Sequence, residues 1–337
     1  MEVDMRKGIT VAGNMIIDIL YPINGLPAPG ELTTILDGIS RATGGALCNV
    51  VIDLARLDNN IPLYAIGRVG TDQEGDNILN ELKKYRNIDI SEVKREGISS
   101  FTSVMADIVT KQRTFFHYRG ANAKLDISDI DFSKMNSRIF HIGYILLLDA
   151  LDMQDETYGT KMARLLHDAK KSGIMTSIDV VSEASDRFKK LVPPAMKYTD
   201  FCIINEIEAQ NSTGITLRGN DGRLKKENIP SALKEMKNMG VSRWAVIHSP
   251  EGGFGLDENN EYVDIPSLNL PKGFIKGTVG AGDAFCSGVL YAAHEQKNLY
   301  KAIEYGTACA ACSLSEPGAS DGVLPIKEAL ELYNNLR

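Results

Sequence analysis

Apolar runs alternate with stretches whose apolar residues recur at helical spacing, and the alternation extends along most of the chain. The runs at residues 9–12, 63–68, 101–109, 139–142, 175–178, 201–204 and 244–247 read as strands, and several are nearly continuous in apolar residues. A strand with one wet face alternates polar and apolar, whereas a strand buried on both faces does not, so these runs fit a parallel sheet covered on both sides. Between them, Val50, Leu54 and Leu57 form one helical stripe, Met162, Leu165, Leu166 and Ala169 another, and Phe285, Val289 and Ala292 a third. Strand–helix alternation of this kind predicts an α/β fold, a doubly wound and mostly parallel sheet with helices on both faces.

The chain is 337 residues long and 43% hydrophobic, enough to bury a large core, and it carries no repeat, low-complexity tract or long linker. Residues 1–337 therefore read as a single domain. Two segments interrupt the alternation. Residues 15–43 hold Pro22, Pro27, Pro29 and Gly30, and residues 97–120 hold two β-rich runs, at 101–109 and 114–118, with no good helix in either segment. They read as a small β-sheet beside the main one, placed as a lid over a substrate site.

The net charge of −7 argues against a nucleic-acid binder, which presents a basic face. The N-terminal residues run straight into a first strand with no signal peptide, and no apolar run approaches a membrane span. The five cysteines, Cys48, Cys202, Cys286, Cys309 and Cys312, are odd in number and widely scattered, which suits a reducing cytoplasm. Cys309 and Cys312 read as two small core residues of a helix. The histidines His117, His141, His167 and His294 form no ligand cluster.

The sharpest chemical signal is Gly277-Thr278-Val279-Gly280-Ala281-Gly282-Asp283. A helical stripe begins immediately after it, so residues 280–283 should form a helix N-terminus. Free N–H groups and the helix dipole favour an anion there, and small residues let a ligand approach the backbone. Asp283 in that first turn either caps the helix or stands beside a bound phosphate, where it can take a proton from an attacking hydroxyl. The stretch lacks the Gly-Lys-Ser/Thr of a Walker A loop. A second glycine pair, Gly44-Gly45, precedes Asn49, whose amide offers both a donor and an acceptor. Asn205 and Glu208 follow the apolar run at 201–204, and their spacing puts both on one side of a helix start.

Taken together, these segments resemble the PfkB (ribokinase-like) carbohydrate kinase family. Residues 277–283 resemble its C-terminal signature, with Gly277 in place of the usual first Asp. Gly44 to Asn49 resembles its N-terminal glycine signature, and Asn205 to Glu208 its NxxE motif. Gly13-Asn14 with Asp18, the segment from Gly67 to Gly75, Gly120-Ala121-Asn122 and Gly318-Ala319 are similar to further elements and come in the same order. His248 to Gly253 lies where the family has a nucleotide-side turn, and only the final glycine matches well.

The resemblance implies an ATP-dependent kinase that transfers the γ-phosphoryl group to a hydroxyl of a small sugar. It makes Asp283 the base and Gly280, Ala281 and Gly282 the anion hole. Asn14, Asp18, Gly44, Gly45 and Asn49 would bind the sugar. Asn205, Thr278, His248, Gly253 and Gly318 would face the nucleotide, and Asn205 and Glu208 would hold Mg²⁺ through water. Ala46 stands where relatives that use phosphosugars often have Lys, which points to an unphosphorylated acceptor. Arg113, Tyr118 and Arg119 could meet the ring of a fructose or the carboxylate of a keto-acid sugar, or form a solvated lid face. A nucleoside kinase and a catalytically weak sugar-binding or regulatory protein are the alternatives. Family members often dimerise through the lid.

Overall fold

The computed structural model of the chain describes residues 6–182 and 186–337; the start of the N-terminal segment, residues 1–5, lies outside the described residues. Thirteen strands in this range build the two sheets that shape the site. They are β1 (Ile9–Gly13), β2 (Ile16–Ile23), β3 (Ser40–Gly44), β4 (Leu63–Ile66), β5 (Ile88–Asp89), β6 (Ser100–Asp107), β7 (Arg113–Tyr118), β8 (Ile139–Ile145), β9 (Met175–Val180), β10 (Phe201–Asn205), β11 (Trp244–Ser249), β12 (Gly252–Leu256) and β13 (Tyr262–Pro266). The main helices are α1 (Ala46–Leu57), α2 (Gln73–Leu82), α3 (Lys161–Lys171), α4 (Phe188–Met196), α5 (Glu206–Thr213), α6 (Ile229–Asn238), α7 (Ala281–His294), α8 (Leu299–Ser313) and α9 (Ile326–Leu336).

The large sheet has nine strands in the order β13-β12-β11-β10-β9-β8-β1-β4-β5. From β11 to β5 every pairing is parallel, and β12 and β13 add an antiparallel edge. Alternate residues of each strand enter different cores, which is why the central strands are apolar throughout. Ile139, Phe201, Ile203 and Val246 join the core under α1, α7, α8 and α9. Phe140, Cys202, Ile204 and Ala245 join the core under α3, α4 and α6. The doubly wound architecture read from the sequence is the observed one.

The predicted strand boundaries need two corrections. The run at 63–68 breaks after Ile66, and Arg68 and Val69 pair separately with Lys94 and Arg95. The run at 101–109 stops at Asp107, whose carboxylate accepts from the backbone N–H of Val109 (2.8 Å) and the hydroxyl of Thr110 (2.8 Å) and so turns the chain.

The two interrupting segments supply a four-stranded sheet in the order β3-β2-β6-β7. It is tied to the main body at both ends. β2 follows β1 after two residues, and β3 leads into α1 through Gly45. Between them, Asn122 accepts from the backbone N–H of Met15 (3.2 Å) and donates to its carbonyl (3.1 Å). The segment from Gly67 to Gly75 has a structural task. Asp72 caps α2 by accepting from Gly75 N–H (2.9 Å) and also holds Ser99 at the root of β6 (2.8 Å to its N–H).

Candidate active site

β1, β8, β9 and β10 are parallel, so their C-terminal ends lie along one edge of the sheet, where doubly wound folds collect ligands. The chain after β1 carries Asn14, β8 carries Tyr144, β9 carries Asp179, and β10 ends in Asn205. Helices α1 and α7 bring Asn49 and Asp283 to the same edge.

Helix α7 starts as its sequence predicts. Gly280 is its N-cap with φ of 80°, a left-handed conformation that glycine adopts without the Cβ penalty. A Cβ at Gly280 would lie 2.7 Å from the Cα and Cβ of Ala319, with the Ala319 carbonyl oxygen closer still. The turn at Ala319 therefore lies directly against the helix start. No side chain caps the helix, so its first N–H groups remain available to an anion. Gly277 has an equally local explanation: a side chain there would press on Pro317 (2.8 Å to Cα) and on the carbonyl of Glu316 (3.0 Å).

Asp283, in the first turn, is 5% exposed. Its Oδ2 accepts from the amide of Asn49 at 2.7 Å, and the Tyr144 hydroxyl donates to Oδ1 at 2.9 Å and to Oδ2 at 3.0 Å. Burial raises its pKa, the Asn49 and Tyr144 hydrogen bonds lower it, and the nearby Asp18 raises it, leaving the carboxyl at about 6. It is thus a stronger base than an exposed aspartate and still ionised at neutral pH.

The predicted acceptor residues lie together beside it. Asn14 is buried, its Oδ1 accepts from the backbone N–H of Tyr144 at 3.3 Å, and its Nδ2 has no partner. Gly45 (φ 89°) lets α1 begin close under Asn14; a Cβ there would meet the Asn14 carbonyl oxygen at 2.6 Å. The Asp18 carboxylate lies over Gly44, its Cγ 3.3 Å from where a Cβ would stand. Burial pushes the Asp18 carboxyl up to about 6 despite a hydrogen bond from Thr102.

On the other side of Asp283, Asn205 and Glu208 form a capping box at the start of α5. Asn205 Oδ1 accepts from the N–H of Glu208 (2.8 Å), and Glu208 Oε2 accepts from the N–H of Asn205 (2.9 Å). Glu208 Oε1 also accepts from Ser182 (2.8 Å) and from the Asn205 amide (2.8 Å). Asp179 is buried nearby. Burial pushes both the Asp179 and Glu208 carboxyls well above the usual carboxylate range. The charges of Glu208 and Asp283 add to it at Asp179; at Glu208 the hydrogen bonds from Asn205 and Ser182 offset it in part, and the charges of Asp283 and Glu206 add to it. Asp179, Asn205, Glu208, Tyr144 and Asp283 line one opening of about 220 Å³. Carboxyl oxygens at such an opening are the donor type a hard divalent cation takes, but among the described residues they do not converge into a set of three or more ligands.

A larger cavity of about 730 Å³ adjoins it, sharing Asn205, His248 and Gly282 and including Thr278. Its walls include Leu268, Leu270, Ile275 and Leu314, an apolar slot with a helix N-terminus at one end. His248 packs its ring against Phe285 at 5.0 Å, and burial lowers its pKa to about 4, so the imidazole is neutral. Two predicted nucleotide-side glycines border this region without lining the cavity: Gly253 follows Gly252 of its wall, and Gly318 precedes Ala319 at the helix start. Gly253 faces Phe285 and Ile303, and Gly318 lines a separate recess with Arg56 and Asp321. Arg119 donates to the Leu146 carbonyl (2.7 Å), Tyr118 packs on Phe101 (5.3 Å between rings), and Arg113 is exposed on the edge strand β7.

Sequence reasoning missed Tyr144, Asp179 and Ser182. Tyr144 and Asp179 each sit at the C-terminal end of an apolar run, and a polar residue at that position was the available signal. Among the described residues no cluster of three or more His, Cys, Asp or Glu side chains forms a ready metal cage, and no helix is long and apolar enough to cross a membrane.

Comparisons with known proteins agree with this fold. A family model described as pfkB family carbohydrate kinase matches residues 6–327. A ribokinase of Haemophilus influenzae is 25% identical, the match covering 98% of this chain and 100% of the relative. A probable fructokinase of Arabidopsis thaliana is 23% identical over 100% of this chain and 96% of its own. Among solved structures, an Arabidopsis thaliana ribokinase complexed with ribose and ATP superposes with a TM-score of 0.78 at 20% identity, covering 98% of this chain and 99% of that one.

Proposed function

Because the chain belongs to the pfkB family of carbohydrate kinases, we infer that it transfers the γ-phosphoryl group of ATP to a hydroxyl of a small unphosphorylated sugar, with Asp283 as the base. The observation that carries this reading is the placement of the Asp283 carboxylate. It sits in the first turn of an uncapped helix, between buried Asn14 and Asn49 with half-buried Asp18 on one side and the opening with Asn205 and Glu208 on the other.

In this reading the acceptor lies against Asn14, Asp18 and the Gly44-Gly45 turn. The unpartnered Nδ2 of Asn14 can donate to a sugar oxygen, and Asp18 can accept from sugar hydroxyls. ATP lies in the larger cavity with its phosphates directed to the N–H groups at Gly280, Ala281 and Gly282. Asp283 takes the proton of the acceptor hydroxyl as the new O–P bond forms and the bond to the leaving ADP breaks. The helix N-terminus counters the negative charge on the phosphoryl oxygens throughout, so the rate comes from positioning and fixed dipoles. Asn205 and Glu208, with Asp179 behind them, would hold Mg²⁺ through water, and the ion would supply charge neutralisation at the phosphates. The small sheet of β3, β2, β6 and β7 acts as a lid that carries Asp18 and excludes water. Ala46, where phosphosugar-using relatives often have Lys, supports an unphosphorylated acceptor. The buried, free state of all five cysteines is in keeping with a cytoplasmic protein.

The test is ATP consumption over a panel of ribose, fructose, deoxygluconate-type keto-sugars and nucleosides, with and without Mg²⁺. The reading expects ADP release coupled to phosphorylation of an unphosphorylated sugar. Turnover only with nucleosides would reassign the acceptor, and tight sugar binding without turnover would make the protein a binding module.

A further inference from the structure

The base of this site is already in contact with a second protic side chain. A carboxylate offers about four acceptor positions, two on each oxygen. On Asp283, the Asn49 amide and the Tyr144 hydroxyl occupy Oδ2, and the same Tyr144 hydroxyl faces Oδ1. One position, on Oδ1, is left for an incoming hydroxyl. Tyr144 is itself held in place. Its backbone N–H donates to Asn14 Oδ1, so the end of β8 is joined to an acceptor-site residue and to the base at once. Burial, and then the neighbouring Asp283 charge, raise the phenol well above its ordinary pKa, so it remains an O–H donor across the working pH range.

The geometry points to Tyr144 as a positioning residue that fixes the Asp283 carboxylate and leaves Oδ1 as the only place where an acceptor hydroxyl can deliver its proton. The inference rests on the kinase reading for its catalytic consequence, and on the observed hydrogen bonds for its effect on Asp283. Tyr144 also offsets a crowded field. Carboxyl groups face Asp283 from β2 (Asp18), α1 (Asp53), β9 (Asp179) and α5 (Glu208), and the one titratable imidazole beside the helix start, His248 on β11, is neutral. With so many carboxyl groups turned toward the base, a neutral donor steadies its ionised form without adding a cation that would compete for the phosphate.

The variant Tyr144→Phe keeps the ring and removes only the donor. Its expected kinetic signature is a kcat lower by about tenfold or more, with KM for the sugar changed by less than about threefold, because a charge-assisted hydrogen bond to the reacting group is lost while the acceptor contacts remain. The acid limb of kcat/KM should move to higher pH by roughly one unit, since a donor to the charged form has gone. A merely structural role for Tyr144 would lower stability and leave that limb where it is.

A second readout does not depend on turnover. Infrared titration of the carboxyl stretch, assigned to Asp283 by its disappearance in Asp283→Asn, should give a midpoint near 6 in the wild type and a higher one in Tyr144→Phe. A folded Tyr144→Phe variant with an unchanged infrared midpoint overturns the inference, whether or not the wild type phosphorylates a sugar. An active wild type with unchanged kcat and acid limb in the variant overturns it while leaving the kinase reading intact.

Discussion

Replacing Gly280 by Ala tests the link between backbone conformation and catalysis at the helix start. The position has φ of 80°, where an alanine costs about 1–2 kcal/mol relative to glycine. The new Cβ would also collide with Ala319, 2.7 Å from its Cα and Cβ, and displacing backbone in a packed region costs about 1–3 kcal/mol more. Together these reach about 2–5 kcal/mol, a large part of the roughly 5–15 kcal/mol that holds a typical domain. Urea unfolding followed by circular dichroism measures this loss. The survivors should also be poor enzymes, because relief of the clash moves the N–H groups at the helix start, and losing one oxyanion-type donor costs about a hundredfold or more in kcat. Gly222→Ala is the control. It has a similar φ of 76° and nothing within 4 Å of its Cβ, so it should show only the conformational cost and normal kcat. If Gly280→Ala proves no less stable than Gly222→Ala and keeps kcat within about threefold of wild type, the anion-hole assignment fails.

Three further outcomes follow from the same geometry. Asp18→Ala should weaken sugar binding about tenfold or more while sparing nucleotide affinity, as read by calorimetry with each ligand alone; equal weakening of both in a folded variant counts against a sugar-only contact. Glu208→Gln should raise the Mg²⁺ concentration needed for half-maximal activity at saturating ATP and sugar, and an unmoved Mg²⁺ curve would reduce Glu208 to its capping role. The raised pKa values of Asp179 and Glu208 have a signed consequence. The folded state keeps their protons to higher pH than the unfolded chain, so the stability they give is present below the ordinary carboxylate range and is lost as pH rises through their native values. The melting temperature of metal-free protein should fall as pH rises through and beyond neutrality, and Glu208→Gln should flatten that slope; parallel curves for the two proteins would contradict it.

Local chemistry was legible in the sequence where it was self-contained. The stripe through Phe285, Val289 and Ala292 announces α7, and the glycines before it announce a start that no ordinary residue could form. Asn205 and Glu208 were readable because a capping box is written in four consecutive residues. The antiparallel edge was not. Gly252, Gly253 and Gly255 look like turn residues, yet they lie in β12, where a side chain at Gly253 or Gly255 would strike Ile303 or Leu299 of α8. Those glycines record the close approach of a helix that comes some forty residues later, and nothing local encodes it. Tyr144 and Asp179 were missed for a related reason. Each looks like one polar residue in a buried strand, and only the parallel register of β8 and β9 turns them toward Asp283. The small sheet was recognisable from its proline-broken, helix-poor segments. Its boundaries shifted where Asp107 turns the chain and leaves Ile108 and Val109 exposed.

The role of Asp283 bears most directly on the whole account, and steady-state phosphorylation by Asp283→Asn measures it. The substitution keeps the size of the side chain and one acceptor oxygen, so the fold, ATP binding and most sugar binding should persist. If Asp283 is the base, the substitution removes the group that takes the proton, and kcat should fall about a hundredfold or more. The wild type should lose activity as pH drops through about 6, where Asp283 takes up its proton, and the residual activity of the variant should lack that limb. A folded Asp283→Asn variant with near-wild-type kcat and the same acid limb would contradict the assignment of Asp283 as the base.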